Sequence, residues 1–224
     1  MTEGLLPPDR PALPGEPFLY PIIDASMVGS ERSLGDWVSC LAGPGRAALV
    51  QWRFKSLTDA AALAGARELR EATRAMGVIL IINDRPDIAR MVEADGVHLG
   101  QEDLDPEDAR ALLPGAIIGV STHNRAQFET ALKKPVDYIA VGPVFETASK
   151  TNPDPVVGLE FVAWARALTS KPIVAIGGIT RANAVAIARA GADGLAVICE
   201  VMKAARPDEA AAAFTAAIRR PLAG

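Results

Sequence analysis

Two hydrophobic patterns alternate along the chain. Short apolar runs bounded by polar residues or glycine occur at 19–23, 48–52, 78–82, 96–99, 117–120, 138–141, 173–176 and 194–198. Continuous apolar runs of this length predict strands buried on both faces, as in a parallel sheet. Longer, Ala-rich amphipathic stretches lie between them. The clearest is 57–76, where Leu63, Ala66, Leu69, Ala72 and Met76 recur every three or four residues and Arg or Glu fill the other face. Further helices are predicted near 87–93, 105–113, 125–133, 158–168, 180–190 and 207–219. Thr58 and Thr180 are predicted N-caps, and Gly77, Gly115 and Gly191 are predicted C-cap or post-helix glycines.

Eight strands alternating with helical segments predict a single-domain α/β chain, a (β/α)8 TIM barrel over residues 17–224. Residues 1–16 are Pro-rich, lack the apolar stretch of a signal peptide and are expected to form a poorly ordered extension. The same local pattern fits an open doubly wound sheet, since strand order is not written in it. The absence of G-x-G-x-x-G and P-loop motifs removes the commonest nucleotide signatures of that alternative.

Composition narrows the function classes. The chain of 224 residues is 50% hydrophobic, enough for one sizeable core. Its net charge is -4 and its basic residues are scattered, which argues against nucleic-acid and membrane partners. No apolar run approaches the ~18 residues of a membrane span. The two cysteines, Cys40 and Cys199, lie far apart and are expected to be free thiols in a reducing compartment, so a cytoplasmic location is expected. The sequence leaves room for a homo-oligomer.

In a barrel, residues that follow the strands converge on one mouth. After the second run, alternation puts Gln51, Arg53 and Lys55 on one side and Trp52 and Phe54 on the other. Two cations and an amide suit a polyanion such as a diphosphate. Asn83 and Asp84 follow the third run, and Asp103 follows the fourth. Asp84 is either a helix N-cap or, with Asp103 one strand away, half of a two-carboxylate site for Mg²⁺. Zinc would need more His or Cys than this mouth supplies. Ser121 and His123 follow the fifth run, and His98 lies within the fourth, where it reads as a satisfied core histidine. A long segment after the sixth run, with Thr147, Ser149 and Lys150, has the length of a functional lid. Gly177-Gly178 after the seventh run and Ile198-Cys199 after the eighth suit a phosphate.

Gln51-x-Arg53-x-Lys55, Ile82-Asn83-Asp84-Arg85, the run from Gly96 to Asp103, Gly119-Val120-Ser121, Gly142-Pro143-Val144-Phe145, Ser149-Lys150 and Ala175-Ile176-Gly177-Gly178-Ile179 resemble the thiamine phosphate synthase family in order and spacing, over about residues 18–217. The resemblance implies a transferase that joins hydroxymethylpyrimidine diphosphate to hydroxyethylthiazole phosphate, releasing diphosphate. Gln51, Arg53, Lys55 and Lys150 would hold the diphosphate, with Asn83 and Ser121 on the pyrimidine. Arg53, Ser121 and Lys150 would carry the catalytic roles. Asp84 and Asp103 would ligate Mg²⁺. Thr147, Ser149, Gly178, Ile198 and Cys199 would receive the thiazole phosphate.

Three positions depart from the family pattern. Phe54 stands where Glu is common, but alternation turns it away from the mouth. Ser149 keeps the hydroxyl of a usual Thr, and Cys199 replaces a frequent Ser. Rival readings are a thiazole tautomerase using His123, a non-catalytic binder of thiamine precursors, and another phosphate-binding barrel. The Asp84–Asp103 pair and Lys150 favour the synthase, because a tautomerase has no diphosphate to ionise.

Overall fold

The structure is a computed structural model that describes residues 11–15, 17–147 and 154–219. Eight parallel strands close on themselves in sequence order: β1 (Phe18–Asp24), β2 (Leu49–Arg53), β3 (Ile79–Asn83), β4 (Gly96–Leu99), β5 (Ile117–Thr122), β6 (Tyr138–Val141), β7 (Ile173–Ile176) and β8 (Gly194–Val197). Pairing of β1 with β8, in the register Phe18 opposite Gly194 to Pro21 opposite Val197, makes the sheet a barrel and excludes the open sheet. The helices are α1 (Leu34–Leu41), α2 (Asp59–Met76), α3 (Pro86–Met91), α4 (Pro106–Leu112), α5 (Arg125–Leu132), α6 (Gly158–Leu168), α7 (Ala184–Arg189), α8 (Cys199–Met202) and α9 (Pro207–Arg219).

Strand alternation sorts the core into two layers. Phe18, Tyr20, Ile22, Leu49, Ile81, Ile117, Tyr138 and Val174 fill the barrel, with Leu13 packed against them. Leu19, Ile23, Val50, Trp52, Leu80 and Ile82 face the helices. Gly119 is where the inner layer admits a ring. A Cβ there would lie 2.0 Å from the Tyr138 ring, so only glycine lets Tyr138 lie flat across the neighbouring strand.

Three helix-to-strand clasps tie the floor. Asp95, Asp137 and Asp193 stand just before β4, β6 and β8. Each accepts the first or second N–H of the preceding strand and an arginine from the helix before that strand. The distances are Leu80 N 2.8 Å and Arg70 Nη1 2.7 Å for Asp95. They are Ile118 N 2.8 Å and Arg110 Nη2 2.6 Å for Asp137. For Asp193 they are Ile173 N 2.6 Å and Arg166 Nη1 2.8 Å. Each carboxylate thus sets the height of an odd strand against its even neighbour, while the guanidinium compensates its charge.

The local punctuation is mostly as expected. Thr58 caps α2 by accepting from Ala61 N, and Gly77 closes that helix at φ 64°. Gly191, at φ 107°, follows α7. Gly115 follows α4 as a post-helix glycine, two residues beyond the C-cap Leu113. Two expectations are corrected, both of N-caps. Thr180 is not the cap of α7, which starts later, at Ala184. The Asn183 side chain instead accepts from Thr180 N and donates to the Gly178 carbonyl, which braces the glycine turn. Asp84 does not cap α3, whose N-cap is Arg85. Its φ of 64° puts it in the left-handed region, uncommon for a non-glycine residue and frequent at functional sites. Two helices escape the periodic reading: α1, opened by a capping box between Ser33 and Asp36, and the four-residue α8.

Candidate active site

The strands' C-terminal ends open into a cavity of about 990 Å³, at the upper end of the size of small-molecule sites. Gln51, Arg53, Lys55, Asn83, Asp84, Asp103, Ser121, Thr147, Gly178, Ile198 and Cys199 all line it. Ser149 and Lys150 lie outside the described residues. Phe54 is buried away from the mouth, its ring centroid 5.8 Å from that of Trp52.

One half of the cavity is electrostatically tense. Asp84 and Asp103 both face this half of the cavity, close enough to act on each other's charge. Burial, then the neighbouring Asp103 carboxyl, push the Asp84 carboxyl up to about 6, and Lys55 offsets this only in part. The Lys55 ammonium lies 3.3 Å from Asp84 Oδ2, and Asp103 Oδ2 accepts from Gly100 N at 2.6 Å. Two carboxyls that repel one another at a mouth fit a hard dication, whose charge would remove the repulsion. Among the described residues no group of three or more His, Cys, Asp or Glu forms a cage. The donor set therefore suits an ion that takes its remaining ligands from water and substrate oxygens.

Arg53 is held from below. Its guanidinium pairs with the Asp24 carboxylate at the end of β1. Burial pushes the Asp24 carboxyl up, but hydrogen bonds from Ser26 and the Arg53 charge outweigh it and hold it below its ordinary value. Asp24 does not line the cavity but supports Arg53 from beneath, a role the sequence reading missed. The available signal was a carboxylate standing directly after the first apolar run, at the same end of its strand as Asp84 and Asp103 are of theirs.

The other half is built from backbone. Gly177 and Gly178, at φ 96° and 62°, follow β7. Val144 N and Phe145 N donate to the Ile176 and Gly177 carbonyls and dock the segment after β6 onto that turn. Ile198 and Cys199 face it from the junction of β8 and α8, and Lys203 also lines this side. Among the described residues neither Cys199 nor Cys40 is in a disulfide. His123 bonds the Gly142 carbonyl through Nδ1 at 2.6 Å, and its Nε2 lies 3.6 Å from Asp154 Oδ2. His98 is satisfied, as expected of a core histidine, yet it also lines the cavity and touches Ser121.

A family profile described as "Thiamine monophosphate synthase" matches residues 19–201. The thiamine-phosphate synthase of Koribacter versatilis is 47% identical over 189 residues, covering 83% of this chain and 89% of that protein. That of Bacillus velezensis is 39% identical over 204 residues, covering 88% and 91%. The solved structure of thiamine phosphate pyrophosphorylase from Pyrococcus furiosus superposes with a TM-score of 0.80 at 33% identity, over 90% of this chain and 95% of that one. A 3-hexulose-6-phosphate synthase shares the fold at a TM-score of 0.62 and 18% identity. With more than half its length matched by the profile, the chain belongs to the thiamine monophosphate synthase family.

Proposed function

We infer that this cavity carries the condensation of hydroxymethylpyrimidine diphosphate with hydroxyethylthiazole phosphate, giving thiamine phosphate and diphosphate. The chain is a transferase of thiamine biosynthesis. The observation that carries the residue roles is the division of one cavity into a carboxylate-and-cation half and a glycine-backbone half. It supports two anionic substrates meeting there.

Arg53 and Lys55 hold the diphosphate, and Asp24 keeps the Arg53 guanidinium aimed by occupying one edge of its donor fork. Gln51, Asn83 and Ser121 orient the pyrimidine. Thr147, Gly178, Ile198 and Cys199 receive the thiazole phosphate. The resemblance adds Ser149 and Lys150, which lie outside the described residues. Mg²⁺ held by Asp84 and Asp103 would neutralise charge on the departing diphosphate. The thiazole nitrogen supplies its own lone pair, so the protein positions the two substrates, stabilises the leaving charge and excludes water. No general base is required.

Among the described residues no helix is long and apolar enough to cross a membrane. The small number of cysteines, Cys40 and Cys199 far apart in the chain, supports a cytoplasmic setting.

Purified protein mixed with both substrates and Mg²⁺ is expected to release thiamine phosphate and diphosphate in equal amounts. Turnover of a thiazole tautomer with no thiamine phosphate formed would assign the chain to the tautomerase branch instead.

Gly178 tests the second half separately. A Cβ there would lie 2.4 Å from the Glu146 carbonyl oxygen and 2.7 Å from Phe145 Cβ, at a φ that disfavours alanine. Gly178→Ala should raise KM for the thiazole phosphate roughly tenfold or more and leave KM for the pyrimidine diphosphate within about twofold. Steady-state kinetics with each substrate varied in turn decide it. Equal changes in both constants would remove Gly178 from the thiazole half.

A further inference from the structure

Five polar side chains cross the barrel interior in one line of hydrogen bonds. Gln51 Nε2 donates to the Tyr20 hydroxyl at 3.0 Å, and the Tyr20 and Tyr138 hydroxyls lie 3.0 Å apart. The Tyr138 hydroxyl lies 2.8 Å from His98 Nδ1, and His98 Nε2 lies 2.8 Å from Ser121 Oγ. The residues come from β1, β2, β4, β5 and β6. All but Ser121 are buried. The line begins and ends in the cavity, since Gln51 and Ser121 both line it.

Each hydroxyl carries one proton, so such a line has a direction. With Gln51 Nε2 donating at one end, Tyr20 gives its proton to Tyr138. Tyr138 then gives its own to His98 Nδ1. A neutral imidazole with Nδ1 accepting carries its proton on Nε2, which donates to Ser121 Oγ. The opposite direction requires Gln51 to present Oε1 to Tyr20. If Nε2 stayed there, the buried Tyr20 proton would have to be left without an acceptor in this line, which is costly. Burial pushes both tyrosine hydroxyls above their ordinary value, so neither tyrosine breaks the line by ionising.

We propose that this line locks the two ends of the pyrimidine site to one polarity, with His98 as the positioning residue, held as the Nε2–H tautomer. Ser121 is thereby committed to donating its proton to a ligand, and Gln51 is left to accept through Oε1. The matching ligand edge is an unprotonated ring nitrogen at Ser121 with an N–H donor at Gln51, as an amino-substituted nitrogen heterocycle offers. This last step rests on the pyrimidine site assigned above; the tautomer does not.

The chain has two histidines, so protein labelled with ¹⁵N-histidine gives a readable spectrum. Ligand-free wild-type protein is expected to show His98 with the proton on Nε2. Gln51→Glu, at alkaline pH, turns the amide into an acceptor-only carboxylate. It should reverse the line and move the His98 proton to Nδ1. Tyr138→Phe cuts the line, so adding Gln51→Glu to it should leave His98 unchanged. An Nδ1–H tautomer in wild-type protein overturns the proposal without recourse to any variant. So does a His98 signal indifferent to Gln51→Glu, or a switch that survives Tyr138→Phe. Failure to make thiamine phosphate, with the tautomer as expected, would instead defeat the functional reading and leave the lock standing.

Discussion

Asp84→Asn should lower Mg²⁺-dependent kcat/KM by at least about 100-fold, the several kcal/mol that a metal contributes to stabilising a leaving anion. The same change should make the metal-free protein more stable at alkaline pH. The sign follows from the carboxyl being pushed from 3.8 up to about 6 in the folded chain, mainly by burial and then by Asp103. A carboxyl raised in this way favours the folded state below its unfolded pKa, and that contribution is lost as pH rises through about 6. Above that, the folded chain carries a penalty on the order of 1–3 kcal/mol. Asparagine carries no charge and tolerates the left-handed backbone at φ 64°, so it removes the penalty without adding strain. Loss of activity together with a gain in metal-free stability cannot arise from unfolding. Melting curves in a chelator, from acid to alkaline pH, should converge near pH 4 and separate above pH 6. Mg²⁺ should then raise the alkaline melting temperature of the wild type and not of the variant. Turnover within tenfold of wild type, or lower stability at every pH, would refute the metal assignment.

The largest loss of stability is expected at the opposite end of the barrel. The Asp193 side chain is 6% exposed and its partner Arg166 27%. Asp193→Ala leaves the buried Ile173 N–H and the Arg166 guanidinium without this acceptor. Removing one partner of a buried ion pair costs about 3–5 kcal/mol. For a domain of this size that is about 10 °C or more in melting temperature. Asp193→Asn keeps an oxygen for Ile173 N and should lose about half as much. Arg206→Ala serves as a control. Its ion pairs with Asp208 and Glu209 are solvent-exposed, so the midpoint should not move. Thermal unfolding followed by circular dichroism measures all three. If Asp193→Ala melts with the wild type, the clasp does not hold β7 against β8.

The positions of the strands were legible because each is a short apolar run, and a strand buried on both faces requires that pattern wherever it sits. Most helices were legible for the same local reason. The exceptions are instructive. α1 contains Gly35, and its capping box uses Asp36 where Glu or Gln is usual. α8 spans four residues, too few for any period to register. Alternation in β2 correctly separated Gln51, Arg53 and Lys55 from Trp52 and Phe54, since side chains on a strand change face at every residue.

The sequence by itself thus determined the strands, most of the helices and the chemistry that follows each strand, because all of these depend on neighbours in the chain. Only the tertiary structure decided which of those groups meet. Closure through β1 and β8 joins residues far apart in sequence and turns a row of strand ends into one mouth. Pairing of β1 with β2 sets Asp24 opposite Arg53, and the convergence of β1, β2, β4, β5 and β6 sets Gln51, Tyr20, Tyr138, His98 and Ser121 in one line. His98 reads locally as one polar residue in an apolar strand. Its partners are fixed by register between strands, and pairing register is set by packing across the whole barrel, which no local pattern contains.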